Sequence, residues 1–364
     1  MFPNFNIQKV LIAPLDWGLG HATRCIPIIN SLLQNGYEVI IAADDITEVL
    51  LKKEFSTLQF IKLSGYKIKY AKSKWLLPIK ILQQVPKILA SINKENKWLN
   101  TIIDNYKIDL VISDNRYGLY SKKIPCVFIT HQLTIKMPFL GLQKLVQKIN
   151  YKYINKFTAC WIPDFEGENN VAGVLSHPNN LPKIPIHYLG ILSRFTKQEN
   201  IFIEYDYCIL LSGPEPQRTL LEEKILADIK HVDAKILLLR GKPDSTEKIE
   251  VAKNITIENH LAGKELAIAI QQSNYIISRS GYTTIMELLA LEKKAILIPT
   301  PGQTEQEYLA ERLMQQNWCY TLPQQQFNFI NAIEAANNFK YNLRSLPKQQ
   351  LQTLIPQLVQ SLKK

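Results

Sequence analysis

Along the first half of the chain, apolar residues collect in short unbroken runs at 9–15, 37–43, 58–63, 108–112, 125–130 and 159–163. Longer stretches at 21–34, 75–106 and 141–157 place apolar residues at helical spacing instead. A run that is apolar throughout predicts a strand covered on both faces, and such strands separated by helices predict a parallel sheet. Asn35-Gly36 gives the first helix a stop signal. The second half repeats the alternation. Strands are expected at 207–211, 235–239, 255–258, 275–278 and 295–299, and helices at 216–230, 262–272, 282–291 and 304–315, with two more helices closing the chain. The proline-flanked segment 179–185 reads as loop and 187–198 as the junction. The pattern therefore predicts an α/β protein with two doubly wound parallel-sheet domains, 1–190 and 191–364. The last helix is free to pack back on the first domain.

Composition excludes several classes. The 364 residues are 46% hydrophobic and 21% charged, values of an ordinary globular chain rather than a disordered or fibrous one. No apolar run reaches the ~18–20 residues that span a bilayer. The first residues lack a charged segment and a small-residue cleavage site, so no secretory leader is expected. Five scattered cysteines, Cys25, Cys126, Cys160, Cys208 and Cys319, form no C-x-x-C pair. Neither a zinc site nor a disulfide framework is indicated, and a reducing cytoplasm is the simplest setting.

Charge changes the picture. The net charge is +11, and it is polarised. Residues 1–190 carry 23 basic and 13 acidic side chains, whereas residues 191–364 carry 20 and 19. Residues 66–94 hold Lys67, Lys69, Lys72, Lys74, Lys80, Lys87 and Lys94 and no acid; residues 134–157 hold Lys136, Lys144, Lys148, Lys152 and Lys156 and no acid. Both stretches also carry large apolar groups, among them Trp75, Leu76, Leu77, Phe139, Leu140, Leu145 and Ile149. Basic and apolar residues on one helix fit the face of an anionic membrane. The plain alternative is a core face with a solvated lysine rim. No nucleic-acid recognition module is present, and no nucleic acid partner is expected.

In open parallel sheets, ligands bind beyond the carboxyl ends of the strands. The loops there carry the candidate chemistry. Gly18-Leu19-Gly20-His21 opens a helix, where glycines let backbone approach an anion and free N–H groups face it. It falls short of a dinucleotide fingerprint, because Thr23 stands at the third glycine position. His21 can take a proton from a hydroxyl. Asp114, Asp164 and His131 are further candidate bases, each of which is equally a helix cap or loop hydrogen-bonder by pattern alone. In the second half, Ser280-Gly281 start a helix, and Glu287 follows two turns after Ser280. A carboxylate there can accept both hydroxyls of a ribose while the helix start holds a phosphate. A surface glutamate on an amphipathic helix is the alternative.

Three motifs resemble a known family. They are Gly18-Leu-Gly-His21-Ala-Thr-Arg24, Ser278-Arg-Ser-Gly281 followed by Glu287, and the loop from Pro299 to Gln306-Glu-Tyr308. They resemble the GT-B glycosyltransferases, with two facing Rossmann-like domains. Within these they are similar to family 28 and the peptidoglycan lipid-intermediate N-acetylglucosaminyltransferases, most strongly over residues 207–316 and the first 35. The resemblance implies a nucleotide-sugar site in which Glu287 binds the ribose of a uridine nucleotide and the backbone at His260-Leu261 pairs with the base. Ser212 and Gly213, with Gly18 and Gly20 in the first half, stand at phosphate-facing loops. Arg279, Ser280 and Gly281 line the diphosphate, and Glu305 and Gln306 reach the sugar hydroxyls, with Gln303 nearby. The chain departs from the family at Pro214-Glu215-Pro216, where more glycines are usual, and at Glu307, which replaces the second glutamine of a pair.

The implied reaction is inverting transfer from a UDP-linked sugar to a hydroxyl or lipid-linked acceptor at the cytoplasmic membrane face. His21, Asp114 or Asp164 takes the proton, and helix N-termini with Arg279 stabilise the leaving diphosphate. No metal and no cofactor are expected. A nucleotide-sugar hydrolase or non-hydrolysing epimerase of the same fold, and a non-catalytic nucleotide-sugar-binding subunit that recruits a partner, are the alternatives.

Overall fold

The computed structural model describes residues 7–65, 77–137, 139–261, 263–343, 345–347 and 350–362. Lys67, Lys69, Lys72, Lys74, Trp75 and Leu76 of the first basic stretch lie outside the described residues. The chain divides into two compact units. The first is Met1–Arg194 together with Pro347–Lys364, and the second is Phe195–Leu346.

In the first unit, seven parallel strands form one sheet. They are β1 (Lys9–Pro14), β2 (Glu38–Ala43), β3 (Gln59–Lys62), β4 (Leu110–Asp114), β5 (Cys126–Ile129), β6 (Ala159–Ile162) and β7 (Ile186–Tyr188), in the order β3-β2-β1-β4-β5-β6-β7. The helices between them are α1 (Leu19–Gln34), α2 (Asp45–Glu54), α3 (Leu77–Tyr106) and α4 (Leu140–Ile154). Val10–Ala13, Leu110–Ile112 and Cys126–Ile129 are fully buried, as strands covered on both faces must be. Phe128 packs against Tyr117 and Phe157 in tilted pairs, each with ring centroids 4.9 Å away.

Two features differ from the sequence reading. Helix α2 was not expected; Asp44 caps it by accepting from the Asp45 backbone N–H. Strand β7 falls where the sequence suggested only loop and junction. The last helix, α10 (Leu351–Ser361), belongs to the first unit and packs on α1. Ser31 Oγ donates to Leu351 O at 2.8 Å and Asn35 Nδ2 to Gln352 O at 3.0 Å.

The second unit repeats the design. Strands β8 (Tyr205–Leu210), β9 (Ile236–Leu239), β10 (Ile255–Glu258), β11 (Ser273–Ser278), β12 (Lys294–Leu297) and β13 (Tyr320–Thr321) form a parallel sheet in the order β10-β9-β8-β11-β12-β13. Its helices are α5 (Gln217–Ile229), α6 (Gly263–Gln271), α7 (Tyr282–Ala290), α8 (Thr304–Gln315) and α9 (Phe329–Asn338).

Each sheet reverses its strand order once, between β1 and β4 in the first unit and between β8 and β11 in the second. At such a switch point the loops leave in opposite directions and open a crevice at the carboxyl ends of the strands. No described helix is long and apolar enough to cross a membrane.

Candidate active site

At the switch point of the first unit, the loop after β1 turns sharply into α1. Gly18 has φ +81°, a conformation that strains any side chain, so the turn itself accounts for this glycine. The turn brings His21 and Arg24, one helical step apart on the same face, over the end of β4. The register Pro14 to Asp114 sets the carboxylate beside them.

Asp114 is fully buried and receives a fan of donors. Arg24 Nε donates to Oδ2 at 2.6 Å and Arg24 Nη2 to Oδ1, while His21 Nδ1 lies 3.0 Å from Oδ1. Burial alone would raise the Asp114 pKa. The Arg24 charge, then His21, overcomes it and holds the carboxyl well below the usual carboxylate range. Burial, then the Arg24 charge, lowers the His21 pKa below 6.5 against the opposing pull of Asp114. Arg24 Nη2 also approaches His21 Nδ1 at 2.9 Å. Two donors cannot share one line, and Asp114 is ionised. We therefore assign the Nδ1 proton to the carboxylate bond, which leaves the Nε2 lone pair available. Arg24 Nη1 meets His131 Nδ1 at 3.2 Å, so His131 supports the arginine. His21 keeps 15% of its side-chain surface exposed, whereas Asp114 keeps none. The histidine is the group that can meet a substrate, and Asp114 orients it.

Asp164, expected as an alternative base, is placed differently. It is fully buried and its oxygens accept from the backbone N–H of Phe165, Val171 and Ala172 at 2.8, 2.7 and 2.9 Å and from Ser176 Oγ at 2.6 Å. With its oxygens saturated by the loop that follows β6, it fixes that loop and has no exposed edge from which to take a proton.

In the second unit, the loops after β8, β11 and β12 converge. Ser280 Oγ donates to Gln306 O at 2.9 Å. The Gln306 side chain accepts from Thr300 N at 2.9 Å and donates to Gln303 Oε1 at 2.7 Å. Glu307 accepts from Gly302 N at 3.2 Å. Gly213, with φ +101°, faces Thr300, whose Oγ1 lies 3.5 Å from where a Cβ would stand. Thus Gly213, Ser280, Gln303 and Gln306 are drawn together, with Thr300 as a member that the sequence pattern did not single out.

Gly281 caps α7 with φ −69° and ψ 137°, a conformation open to any residue, and a Cβ there would meet nothing within 4 Å. The fold does not need glycine at this place. Glu287 lies two turns along α7, 7% exposed. Glu305 stands in the first turn of α8, and His260-Leu261 follow β10, all half-buried.

Arg279 departs from expectation. It is buried, donating to Gln217 O at 2.7 Å and Ile298 O at 3.2 Å, and its Nε has no partner among the described residues. Burial pushes its pKa down to about 10. Arg279 therefore braces the loops and contributes a field at the crevice, rather than lining a diphosphate directly. All five cysteines are buried free thiols, and no cluster of three metal-ligating side chains occurs among the described residues.

Comparison with known proteins agrees with this architecture. Residues 216–361 match the glycosyltransferase family 28 C-terminal domain, and residues 9–155 match glycosyl transferase family 1. An uncharacterised glycosyltransferase of Methanosarcina acetivorans is 26% identical over 318 residues, 82% of each chain. The UDP-N-acetylglucosamine–N-acetylmuramyl-(pentapeptide) pyrophosphoryl-undecaprenol N-acetylglucosamine transferase of Clostridium tetani is 26% identical over 301 residues, 80% of this chain and 78% of that one. The crystal structure of MurG from Acinetobacter baumannii superposes with a TM-score of 0.58 at 14% identity, covering 97% of this chain and 99% of that one. The family models and the relatives named above are glycosyltransferases. The chain is a two-domain GT-B glycosyltransferase that resembles family 28 and the peptidoglycan lipid-intermediate N-acetylglucosaminyltransferases.

Proposed function

We propose that this protein transfers a sugar, with inversion, from a UDP-sugar to a hydroxyl of a lipid-linked acceptor at the cytoplasmic face of a membrane. The observation that carries the chemistry is the His21–Asp114 pair: an exposed imidazole edge, neutral at pH 7, held by a buried carboxylate. His21 Nε2 takes the acceptor proton as the acceptor oxygen attacks the anomeric carbon. The bond from that carbon to the diphosphate oxygen breaks, and UDP leaves with the electron pair. Asp114 stabilises the imidazolium that forms.

The donor reading rests on the second unit. The open space at Gly281, the N-terminus of α7 and the field of Arg279 suit a diphosphate. In this reading Glu287 accepts the ribose hydroxyls, the backbone at His260-Leu261 pairs with the base, and Ser212-Gly213 face phosphate. Gln303, Glu305 and Gln306 address the sugar. The Clostridium tetani relative's printed donor supports UDP-N-acetylglucosamine as the first sugar to try.

The acceptor reading rests on α4. Its exposed face carries Leu140, Leu145 and Ile149 beside Lys144, Lys148 and Lys152, with no acid over residues 134–157. Apolar and cationic rows at helical spacing suit the interface of an anionic bilayer, where polyprenyl pyrophosphates reside.

The test is transfer of sugar from UDP-N-acetylglucosamine and other UDP-sugars to lipid-pyrophosphate acceptors in anionic vesicles, with the anomeric configuration of the product read by NMR. Acceptor-dependent release of UDP and an inverted product support the proposal. A retained configuration rules out the single displacement at His21.

A further inference from the structure

The loop after β8, Ser212-Gly213-Pro214-Glu215-Pro216, lacks the glycines usual in the family it resembles. Something other than backbone freedom must set its shape. Behind it lies a chain of charges with a buried middle. Arg218, in the first turn of α5, donates through Nε to Glu215 Oε1 at 2.7 Å and through Nη1 to Glu222 Oε2 at 3.0 Å. Its Nη1 also reaches Arg240 O at 3.1 Å. Glu222, one turn further along α5, accepts on its other oxygen from Arg240 Nε at 2.5 Å. Arg240 follows β9 and donates through Nη1 to Glu247 Oε2 at 2.9 Å and Asn259 Oδ1 at 3.0 Å. Asn259 then donates to the carbonyls of Ser245 and Glu247 at 2.9 and 2.8 Å. Lys242 approaches Glu222 Oε2 at 3.5 Å.

The two ends of this chain matter. Glu215 lies two residues from Gly213, and Asn259 immediately precedes His260-Leu261. The charges therefore join the loop assigned to phosphate with the loop assigned to the base. Glu222 stands at the middle, with Arg218 and Arg240 on either side, all three at most 5% exposed. Three cations (Arg218, Arg240, Lys242) face three anions (Glu215, Glu222, Glu247), so no net charge is left over. A buried ion network adds little stability over an apolar core of the same volume. What it adds is geometry, because a guanidinium fork fixes the positions of its acceptors.

We propose that Glu222 is a positioning residue for the donor nucleotide: it bridges Arg218 and Arg240 and thereby holds the phosphate-facing and base-facing loops at the spacing of one bound UDP. This rests on the donor reading of the second unit. Glu222 makes no contact with the ligand; it acts through the two arginines.

The experiment compares wild type with Glu222→Gln, which keeps the size of the side chain and removes its charge. UDP is titrated calorimetrically, and backbone hydrogen exchange is followed over 211–217 and 245–261 in the free proteins. Binding must then order loops that the wild type presents already ordered, so the Kd for UDP is expected to rise at least ~10-fold. Protection is expected to fall in both loops together. Glu215→Gln and Glu247→Gln, whose carboxylates are more than half exposed, should each loosen one loop and weaken UDP binding less. A role in stability alone would lower the melting temperature and the fraction of competent molecules but leave Kd unchanged. The proposal is overturned if folded Glu222→Gln binds UDP within two-fold of wild type. Should that variant not fold, unchanged Kd in both single-loop variants overturns it. If wild type itself binds no UDP, the donor reading fails, and the exchange data still report whether Glu222 holds the two loops.

Discussion

Replacing Asp114 by Asn tests whether the buried carboxylate orients the proton acceptor. The change is nearly isosteric, but it removes the only acid that Arg24 and His21 share at this place among the described residues. Arg24 is 2% exposed and would lose the carboxylate it pairs with here. Breaking a buried pair in this way costs about 3–5 kcal/mol. For a unit of this size each kcal/mol lowers the melting temperature by roughly 2–4 °C, so a drop on the order of 10 °C is expected. The chemical effect is separate. An amide nitrogen placed at Nδ1 of His21 reverses the hydrogen bond, moves the ring proton to Nε2 and removes the lone pair that accepts from the acceptor. The loss of general-base catalysis is about 10²–10⁴-fold in kcat. The assay is UDP release at saturating donor and acceptor, run at a temperature where circular dichroism shows the variant folded. His21→Gln serves as comparison. It should lose as much kcat while melting close to wild type, because Asp114 keeps Arg24. The double variant should be no slower than either single one, since the two residues act as a unit. A folded Asp114→Asn enzyme with kcat within about three-fold of wild type would refute the reasoning, leaving Asp114 as a counter-ion to Arg24 and nothing more.

The pH dependence follows from the direction of the His21 shift. The neutral ring is the active form and its pKa is lowered from 6.5, so kcat/KM should be full at pH 7 and above and decline only as the pH falls through a value below 6.5; an acid limb at pH 7 or higher contradicts the assignment. Asp164→Asn should destabilise the first unit by about 1–3 kcal/mol through lost bonds to backbone N–H groups, while kcat of the folded fraction stays near wild type; a kcat loss as large as that of His21→Gln would make Asp164 a catalytic group after all. Leu145→Ser combined with Ile149→Ser should reduce sedimentation with anionic vesicles several-fold and leave UDP binding unchanged. Equal sedimentation would remove α4 from the membrane contact.

Much of the architecture was legible because strands buried on both faces of a parallel sheet read as short apolar runs between helical segments. Strand β10 at Ile255–Glu258 and helix α8 at Thr304–Gln315 lie at the limits that the pattern gives. Helix α2 was not legible. It leaves Ile46 and Val49 exposed and buries only Thr47 and Leu51, so its apolar period is faint. Strand β7 is three residues long at a sheet edge, too short to stand out from the prolines before it. Site residues divide in the same way. His21 and Asp114 each stood out at the end of a strand, but their pairing across 93 positions depends on the register of β1 and β4. Asp164 has the same sequence signature as Asp114. What separates them is the neighbourhood, backbone N–H groups for one and an arginine with a histidine for the other. Arg24 closed the first glycine motif without an assigned partner, and Thr300 looked like one residue of a proline-led turn. Their roles arise only when distant loops meet.

The claim that most needs testing is that the second unit holds a uridine nucleotide through Glu287. A thermal-shift titration of the purified protein with UDP, UDP-sugars and other nucleoside diphosphates, with Glu287→Ala alongside, tests it directly. Binding to the native state alone raises the melting temperature by mass action, by an amount that grows with the logarithm of ligand concentration. The account predicts that UDP and at least one UDP-sugar stabilise wild type and leave Glu287→Ala unmoved. No shift in wild type with any nucleotide at millimolar concentration, or an equal shift in the variant, would contradict it.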